Sequence, residues 1–393
     1  MSPRADLKPR LYSPGPTEVP PYVLQALGSP ITHHRSPVFS EYLMEVSENL
    51  KYVVKTGQDV YIILASATGA MEAAVSNLLS PGDKAICVRG GKFGERWSEI
   101  CTAYGVEAIN IDVEWGYAVD PAVIADTLKK NPDVKAVYTT LSETSTGIVT
   151  DAKAVAEVIG KTNAVMVIDA TSSLGATPLL TDQWGVDVVV GGGHKALTIP
   201  PGLAFISLSE KAWKLTAASK CPKYYLDLKK YRSSLAKQTT PFTPGVNLVM
   251  GLRESLKAFR EEGYNRTMRR HEILGEAMRA GVKAMGLEVY PKAPFNGLTA
   301  ILAPDGMDAG EIVKTLRNKY GITIAGGQDS LKGKIFRFAH MGYADRMDVP
   351  LMLAATEMVL ADLGRPVPEA GKGVGAAMEI LNREWPNLAS ITD

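Results

Sequence analysis

The sequence predicts an α/β fold: a large domain built on a mostly parallel sheet flanked by helices, followed by a smaller α+β domain. Short apolar runs rich in valine and isoleucine recur between residues 59 and 208, with amphipathic segments between them. Such runs are typical of strands buried on both faces, as in parallel sheets. From about Tyr264 charged helical segments and shorter strand-like runs follow. The chain has 393 residues, enough for more than one hydrophobic core.

Six apolar runs are predicted strands of the large domain, with helices such as GAMEAAVSNLL (69–79) and DAKAVAEVIGKT (151–162) between them. In such sheets ligands bind where the strands end, so polar residues directly after each run are candidate site residues. The six runs are DVYIILA (59–65), DKAICV (83–88), VKAVYTT (134–140), AVMVIDA (164–170), VDVVVGG (186–192) and LAFISL (203–208).

The last third of the chain has a different pattern. A charged helix is predicted over 266–285, then a strand in LTAILAP (298–304), a helix over 308–321 and a strand-like run KIFRFAHMG (334–342). The first fifteen residues carry three prolines and little periodicity, which predicts an extended arm. We therefore predict an N-terminal arm over 1–17, a large domain over 18–262 and a small domain over 263–393.

Composition and charge narrow the function classes. The chain has 43 Lys and Arg against 42 Asp and Glu, so no overall field favours nucleic acid or an anionic membrane. It has no run of about 18 apolar residues and no signal-peptide pattern, which favours a soluble, cytoplasmic protein. Cys87, Cys101 and Cys221 form no C-x-x-C pair, so we expect a reducing compartment and no metal site. The expected partners are small molecules and further copies of the chain.

Lys195 stands in the tightest stretch of the chain, VDVVVGGGHKALTIPPGLAF (186–205). Three glycines after a buried strand allow the backbone to approach a ligand closely and deliver the lysine to a crowded strand end. A lysine partly removed from water has a lowered pKa and can form a Schiff base with a carbonyl compound. A surface lysine beside a glycine turn is the alternative. A P-loop is disfavoured because Ala196, rather than Ser or Thr, follows the lysine.

Two other strand ends carry candidate residues. Asp169 directly follows an apolar run in AVMVIDATSSLGA (164–176), where it can pair with a protonated pyridine nitrogen, as in pyridoxal phosphate enzymes, or cap the following turn. In ILASATGAMEAAV (63–75) a polar turn precedes a helix. Its unpaired N–H groups and the helix dipole suit a phosphate, although an ordinary Ser or Thr cap is the simpler interpretation.

Besides the three strand ends, eight short motifs spread along nearly the whole chain carry a resemblance to a known family. They are SPGPTEVP (13–20), SATGAMEAA (66–74), GGKFGERW (90–97), SETSTG (142–147), DATSSLGA (169–176), GGGHKALTIPPGLAF (191–205), PFTPGVN (241–247) and GKIFRFAHMG (333–342). With them the chain resembles the class V pyridoxal-phosphate aminotransferases of fold type I, specifically the alanine–glyoxylate and serine–glyoxylate (serine–pyruvate) group. The resemblance implies a seven-stranded main sheet, pyridoxal 5'-phosphate as the cofactor and a homodimer with shared active sites.

The resemblance also implies roles for individual residues. Lys195 would form the Schiff base with the cofactor and then carry a proton, while Asp169 would pair with the pyridine nitrogen. Phe93 would stack on the ring, with core packing as its alternative. The other implied cofactor contacts are Ser66, Ala67 and Thr68 in the phosphate cup, where relatives have Ser-Gly-His, then Thr144 at the phenolic oxygen, Thr171, His194 at the phosphate, and Thr240 and Thr243 from the neighbouring subunit.

Arg337 lies in the otherwise apolar run KIFRFAHMG and needs an anion. Its planar fork suits a carboxylate, and the resemblance makes it the binder of the donor's α-carboxylate; a structural ion pair is the alternative. His33, His34 and Arg35 in ITHHRSP (31–37) form a further polar cluster, which could line the site entrance or cap the next helix.

The expected reaction transfers an amino group from alanine or serine to a 2-oxo acid, with glyoxylate as the family's usual acceptor, by a ping-pong Schiff-base mechanism. Other class V aminotransferases, of the ureidoglycine–glyoxylate or aminophosphonate–pyruvate type, stay open. A cysteine desulfurase would need a reactive cysteine in AGGQDSLKGKIFR (325–337), which has none. A noncatalytic subunit, as in relatives labelled hydrogenase components, is a further alternative, although nickel or iron–sulfur chemistry would need cysteine pairs.

Overall fold

The computed structural model describes residues 7–393, which pack mainly around two hydrophobic cores. Within this range no helix has the length and apolar character needed to cross a membrane. The strands are β1 (Arg10–Leu11), β2 (Val60–Leu64), β3 (Lys84–Arg89), β4 (Glu107–Asp112), β5 (Ala136–Thr140), β6 (Ser142–Glu143), β7 (Ile148–Val149), β8 (Val165–Asp169), β9 (Val188–Gly192), β10 (Leu203–Leu208), β11 (Leu298–Leu302), β12 (Ile322–Thr323), β13 (Ala325–Gly326) and β14 (Ile335–Ala339). The helices are α1 (Pro21–Leu27), α2 (Pro37–Val54), α3 (Ala67–Leu78), α4 (Lys92–Ala103), α5 (Pro121–Lys130), α6 (Ala152–Ile159), α7 (Thr181–Trp184), α8 (Glu210–Ala218), α9 (Leu228–Leu235), α10 (Val246–Glu262), α11 (Tyr264–Ala284), α12 (Ala309–Tyr320), α13 (Asp348–Asp362) and α14 (Lys372–Glu384).

The main sheet has seven strands in the order β2-β10-β9-β8-β5-β3-β4. β10 runs antiparallel to both of its neighbours, and all the other pairs are parallel. The predicted α/β fold with a mostly parallel seven-stranded sheet is therefore confirmed, and each of the six predicted runs is a strand of that sheet. The remaining strand, β4, offers no continuous apolar run, because among its residues only Ile111 is buried.

The central strands are buried at every position. This holds for β5, β8, β9 and β10, as expected for strands covered on both faces. Helix α3 is also buried on most of its surface, with small side chains such as Ala70, Ala73 and Ala74 that allow close packing. The main sheet therefore forms a rigid support for the residues that follow its strands.

Local sequence signals set several helix ends. α2 begins after Ser36, whose Oγ accepts a hydrogen bond from the Phe39 N–H at 3.3 Å, and Pro37 takes the first helical position. α12 begins after Asp308, whose carboxylate accepts from the Gly310 N–H at 2.7 Å. It ends at Gly321, where φ is +68°, a left-handed conformation that glycine adopts without strain.

A smaller core lies around the three-stranded antiparallel sheet β11-β14-β13. Phe336 and Phe338 of β14 pack there with helices α11, α12, α13 and α14. The N-terminal arm joins this core, because Tyr12 is buried in it and β1 pairs with β12. The beginning of the chain is therefore held by a part of the chain that follows some 300 residues later, with Arg10 opposite Ile322.

The predicted domain boundaries stay predictions. Residues 7–17 of the predicted arm contain the short strand β1 and a bend over 13–16, and residues 1–6 lie outside the described range. The boundary at 262/263 falls between α10 and α11, and the separation of the two cores supports it. Helix α11 nevertheless contributes Tyr264 and Met268 to the larger core, so this helix contacts both.

Candidate active site

Several predicted site residues follow strands whose carboxyl ends lie at the same edge of the main sheet. The strands β2, β3, β5, β8 and β9 all run in one direction. Ser66, Phe93, Thr144, Asp169 and Lys195 stand at or shortly after their ends. The parallel topology thus places at one edge residues that are far apart in the sequence.

Lys195 is a buried amine with only 7% of the residue exposed. It follows β9 in a crowded loop, where a β-carbon on Gly193 would lie 2.5 Å from Ile199 Cδ1 and would have to displace that side chain. Its Nζ donates to the Pro14 carbonyl oxygen at 2.5 Å. Burial lowers the pKa of Lys195 to about 8, although the charges of Asp169 and Glu143 act in the opposite direction. The interpretation as a surface lysine is therefore wrong.

Asp169 is the last residue of β8 and is almost completely buried. Its Oδ1 accepts a hydrogen bond from the Thr171 N–H at 2.8 Å, so it does hold the turn that follows, as the alternative interpretation expects. Burial nevertheless raises its pKa, although the hydrogen bonds from Thr171 and the charges of Arg96 and Lys195 act in the opposite direction. Thr171 Oγ1 is buried close to this carboxylate.

The start of α3 lies after β2. Ser66 is the N-cap residue, but its side chain makes no capping hydrogen bond within residues 7–393, so the ordinary serine cap is not what the structure shows. Thr68 Oγ1 accepts from Arg96 Nη1 of α4 at 3.2 Å, and Ala67 is buried. The first N–H groups of α3 and an arginine side chain together favour an anion here.

Glu143 is a buried carboxylate that was not among the predicted site residues. Its Oε2 accepts from the N–H groups of Phe93 at 3.1 Å and Gly94 at 2.9 Å, and its Oε1 accepts from the N–H and Oγ of Ser145. Glu143 thereby fixes the start of α4, where Phe93 is half-buried with the Arg96 guanidinium 5.0 Å from its ring centre. Phe93 does not belong to the buried core, which disfavours the packing interpretation.

Arg337 on β14 reaches the same edge from the smaller core. It donates to the Thr144 carbonyl oxygen at 2.5 Å and to the Gly326 carbonyl oxygen at 2.6 and 3.1 Å. Burial lowers its pKa to about 10, and within the described residues no carboxylate forms a salt bridge with it. The alternative of a structural ion pair is therefore wrong, and the guanidinium is a buried cation held only by carbonyl oxygens.

The remaining predicted cofactor contacts lie at different depths. Thr144 is buried, and its Oγ1 pairs with Ser172 Oγ at 2.5 Å. His194 is half-buried, and desolvation lowers its pKa to about 4, which keeps the imidazole neutral. Thr240 Oγ1 donates to the Phe242 carbonyl oxygen at 2.8 Å, and Thr243 is exposed. Within one chain, no described hydrogen bond connects these last two threonines to the strand-end residues.

The cluster before α2 does not cap that helix with a histidine, because Ser36 is its N-cap. The rings of His33 and His34 lie 4.7 Å apart, and Arg35 Nη1 donates to Thr239 Oγ1 at 2.5 Å and to the Thr240 carbonyl oxygen at 2.7 Å. Arg35 therefore fixes the loop that leads to Thr243.

Comparison with known proteins gives a consistent result. The family described as aminotransferase class-V matches residues 11–351. The "Soluble hydrogenase, small subunit" of Synechococcus sp. (strain PCC 6716) is 42% identical, over 95% of this chain and 99% of that protein. The serine–glyoxylate aminotransferase of Methylorubrum extorquens is 34% identical, over 96% of each chain. The ureidoglycine–glyoxylate aminotransferase of Bacillus subtilis has a similar solved structure, with a TM-score of 0.91 and 30% identity over 96% of this chain and 100% of that one.

The resemblance inferred from the motifs is thus confirmed at the level of family and fold. The fold is that of the fold type I enzymes, and the cofactor of these aminotransferases is pyridoxal phosphate. The matched region includes every strand of the main sheet together with Lys195 and Arg337. This protein belongs to the class V aminotransferases.

Proposed function

We propose that this aminotransferase moves the amino group of a small amino acid, alanine or serine, to a 2-oxo acid, with glyoxylate as the preferred acceptor. One observation carries the proposal. Lys195, a buried amine of lowered pKa, lies at the same sheet edge as Arg337, a buried cation that has no carboxylate partner among the described residues. The relatives add support for glyoxylate, since two of the three named above are glyoxylate aminotransferases.

The residues at the strand ends fit pyridoxal phosphate. Asp169 is a buried carboxylate that a protonated pyridine nitrogen would satisfy, and the uncapped start of α3 offers N–H groups to a phosphate. The buried Thr171 Oγ1 stands close to the Asp169 carboxylate and is a further candidate contact of the cofactor. When bound, pyridoxal phosphate supplies an aldehyde that condenses with amines and a ring that takes up electrons.

We assign the binding roles as follows. Asp169 holds the ring nitrogen in its protonated form, and Phe93 covers one face of the ring. Thr144 donates its hydroxyl to the phenolic oxygen. Since His194 is neutral, it contributes a hydrogen bond to the phosphate rather than a charge. The phosphate is held by this histidine, Thr171 and the turn of Ser66, Ala67 and Thr68.

Lys195 and Arg337 act on the amino donor. The guanidinium binds the donor's α-carboxylate with two hydrogen bonds, which restores an anionic partner to a buried cation and fixes one end of the substrate. Neutral Lys195 Nζ then accepts the proton from Cα and keeps it close to the reacting atoms. A pKa of about 8 suits this task, because a useful fraction of the amine is neutral near physiological pH.

We further propose a homodimer in which Thr240 and Thr243 of one subunit contact the phosphate bound by the other. In the single chain Thr243 is exposed beside a cluster of aromatic rings around Phe242. Tyr224 in this cluster is 74% exposed, and Tyr225 stacks on Phe242 at 4.9 Å. Exposed aromatic surface of this kind is typical of a protein–protein interface. A stable monomer with full activity would contradict the proposal.

One experiment tests the reaction. The purified protein should show a visible absorption band of bound cofactor, which alanine or serine should bleach and glyoxylate should restore. A protein without the band, or a Lys195→Ala variant that keeps turnover, would overturn the assignment of Lys195. If ureidoglycine or an aminophosphonate bleaches the band while alanine and serine do not, the donor assignment is wrong and the cofactor assignment stands.

A further inference from the structure

The segment from Tyr12 to Thr17, called the crossing segment below, passes directly over the amine of Lys195. The Pro14 carbonyl oxygen accepts a hydrogen bond from Lys195 Nζ at 2.5 Å. A β-carbon placed on Gly15 would lie 2.6 Å from Lys195 Cε and would collide with Nζ. Gly15 also has φ of +153°, a conformation that other residues rarely adopt. A side chain at this position would therefore displace the end of Lys195 from its place beside Pro14.

Both ends of the crossing segment are anchored. At one end Thr17 Oγ1 donates to the Lys195 carbonyl oxygen at 2.7 Å, and the Thr17 N–H donates to that of His194 at 3.2 Å. At the other end the Tyr12 carbonyl oxygen accepts from the Ala339 N–H at 2.8 Å. Ala339 ends β14, the strand that carries Arg337. The crossing segment is thus tied to the lysine loop and to the arginine strand at the same time.

A simple tether between the two cores would not need to contact the reactive amine. Within residues 7–393 the Pro14 carbonyl oxygen is the hydrogen-bond acceptor of Lys195 Nζ, and Pro14 is itself buried. A carbonyl oxygen in this position compensates part of the cost of removing the amine from water. The contact between the Pro14 carbonyl oxygen and the Lys195 amine is therefore part of the candidate site.

We propose that the crossing segment is a positioning element for the reaction: the Pro14 carbonyl holds the Lys195 amine in its working place, and Gly15 leaves the room that this amine needs. The proposal rests on the proposed role of Lys195 as the reactive amine. Neither residue takes part in bond making. Misplacing a reacting group by about 1 Å can cost about a hundredfold in rate, so a small change in the segment reaches the chemistry.

The first test compares Gly15→Ala with Gly202→Ala. Gly202 has a similar φ of +142°, and a β-carbon there would meet Leu248 Cδ1, the end of a flexible side chain, so this control carries the backbone strain without contact to the amine. Reductive methylation of the cofactor-free chain with formaldehyde and a borohydride, followed at Lys195 by peptide mass spectrometry across neutral and alkaline pH, reports the reactivity of the amine without any need for catalysis.

In the unchanged protein the methylation of Lys195 should show a midpoint near pH 8. In Gly15→Ala the midpoint should move to lower pH, because the ammonium form loses its carbonyl acceptor while it stays buried. In the loaded enzyme kcat should fall about a hundredfold, with the donor KM within about twofold, since Arg337 still binds the carboxylate. Gly202→Ala should leave both the midpoint and kcat unchanged.

A second pair of variants, with smaller structural changes, tests the proposal if Gly15→Ala does not fold. Thr17→Val removes the hydroxyl that ties the crossing segment to Lys195, and Thr356→Val removes a buried hydroxyl that donates to the Met352 carbonyl oxygen at 2.8 Å in α13. Thr17→Val should shift the midpoint in the same direction and lower kcat about fivefold, whereas Thr356→Val should do neither. An unchanged or higher midpoint in Thr17→Val or in folded Gly15→Ala would overturn the proposal. If the unchanged protein turned over no donor, the proposed function would fail while the methylation midpoint still tested the segment.

Discussion

The strand-end site and the smaller core both bury ionisable side chains, but they partner them differently. In the smaller core His271 Nδ1 contacts the Thr267 carbonyl oxygen at 2.8 Å, and its Nε2 accepts from the Gly342 N–H at 3.0 Å. Both ring nitrogens are therefore satisfied by a neutral imidazole, and burial lowers the pKa of His271 to about 3. At the strand ends Lys195 and Arg337 are almost as buried, yet both donate only to main-chain carbonyl oxygens.

His271 and the two strand-end cations thus differ in their hydrogen-bond partners rather than in their burial. A neutral side chain with complete hydrogen bonds contributes to the fold and has nothing left to bind. A buried cation that contacts only carbonyl oxygens keeps an unmet need for an anion or an electrophile. Lys195 and Arg337 can therefore still bind a cofactor or a substrate, whereas the hydrogen bonds of His271 are already complete.

The largest effect should follow removal of the Lys195 amine. Lys195→Ala should lower kcat by at least about 10⁴-fold, because the reactive amine and proton carrier is lost. The melting temperature should not fall, since a lysine whose folded pKa lies below its unfolded value destabilises the fold at neutral pH. Steady-state kinetics and a thermal scan measure the two effects.

The matched control for this variant is Lys211→Ala. The Lys211 amine also donates to a main-chain carbonyl oxygen, that of Ala164, at 2.5 Å, but it is partly exposed, pairs with Asp187 and lies away from the strand ends. Its removal should leave kcat unchanged. A large loss of kcat in Lys211→Ala would show that the loss in Lys195→Ala does not depend on the position of Lys195 at the strand ends.

Arg337→Lys should lower kcat/KM about a hundredfold, mainly through KM, because an ammonium group cannot make two parallel hydrogen bonds to a carboxylate. The comparison variant is Arg279→Lys. Arg279 is a half-buried arginine of α11 that donates to Asn296 Oδ1 at 3.0 Å. This second variant should lose stability and keep its kcat/KM; equal losses of kcat/KM in both would contradict the role of Arg337.

Stability should fall in acid because of the buried histidines. The folded pKa values of His271 and His340 are about 3, and the unfolded value is near 6.5, so between these limits the unfolded state binds more protons. The free energy of unfolding should therefore fall as pH decreases from about 6.5 towards 3, by about 1 kcal/mol per pH unit for each histidine. Urea unfolding at a series of pH values measures this slope.

His271→Leu should have the smallest effect. Loss of the imidazole leaves the Gly342 N–H without its acceptor, which costs about 1 to 2 kcal/mol of unfolding free energy. The kinetic constants of the folded protein should stay unchanged, and the acid slope should become shallower by the share of one histidine. A variant with an unchanged slope would show that His271 already titrates normally.

The sequence predicted the sheet well for physical reasons. Strands β5, β8, β9 and β10 are buried on both faces, so their hydrophobic runs are continuous and easy to detect. β4 is an edge strand with mixed polarity, and its residues carry no such signal. Lys195 and Asp169 were accessible to prediction because Asp169 ends one central strand and Lys195 follows another by three residues.

Other parts of the site could not be predicted, because their role depends on tertiary contacts. Glu143 stands next to Thr144 in the same motif, but nothing in the sequence indicates that its carboxylate holds the start of α4. Arg96 looks like an ordinary exposed residue of an amphipathic helix until α3 and α4 meet. For Pro14 and Gly15 the composition predicts an extended arm, and only the fold shows what the arm covers.

The crossing segment also fixes the order in which the site can be completed. Pro14 leaves the ribosome early, but Lys195, which it contacts, follows 181 residues later, and the strand that pairs with β1 comes near the end of the chain. Contacts between such distant residues form late, because the loop between them must first be closed. During synthesis Lys195 is therefore made before Ala339, whose N–H anchors the other end of the crossing segment.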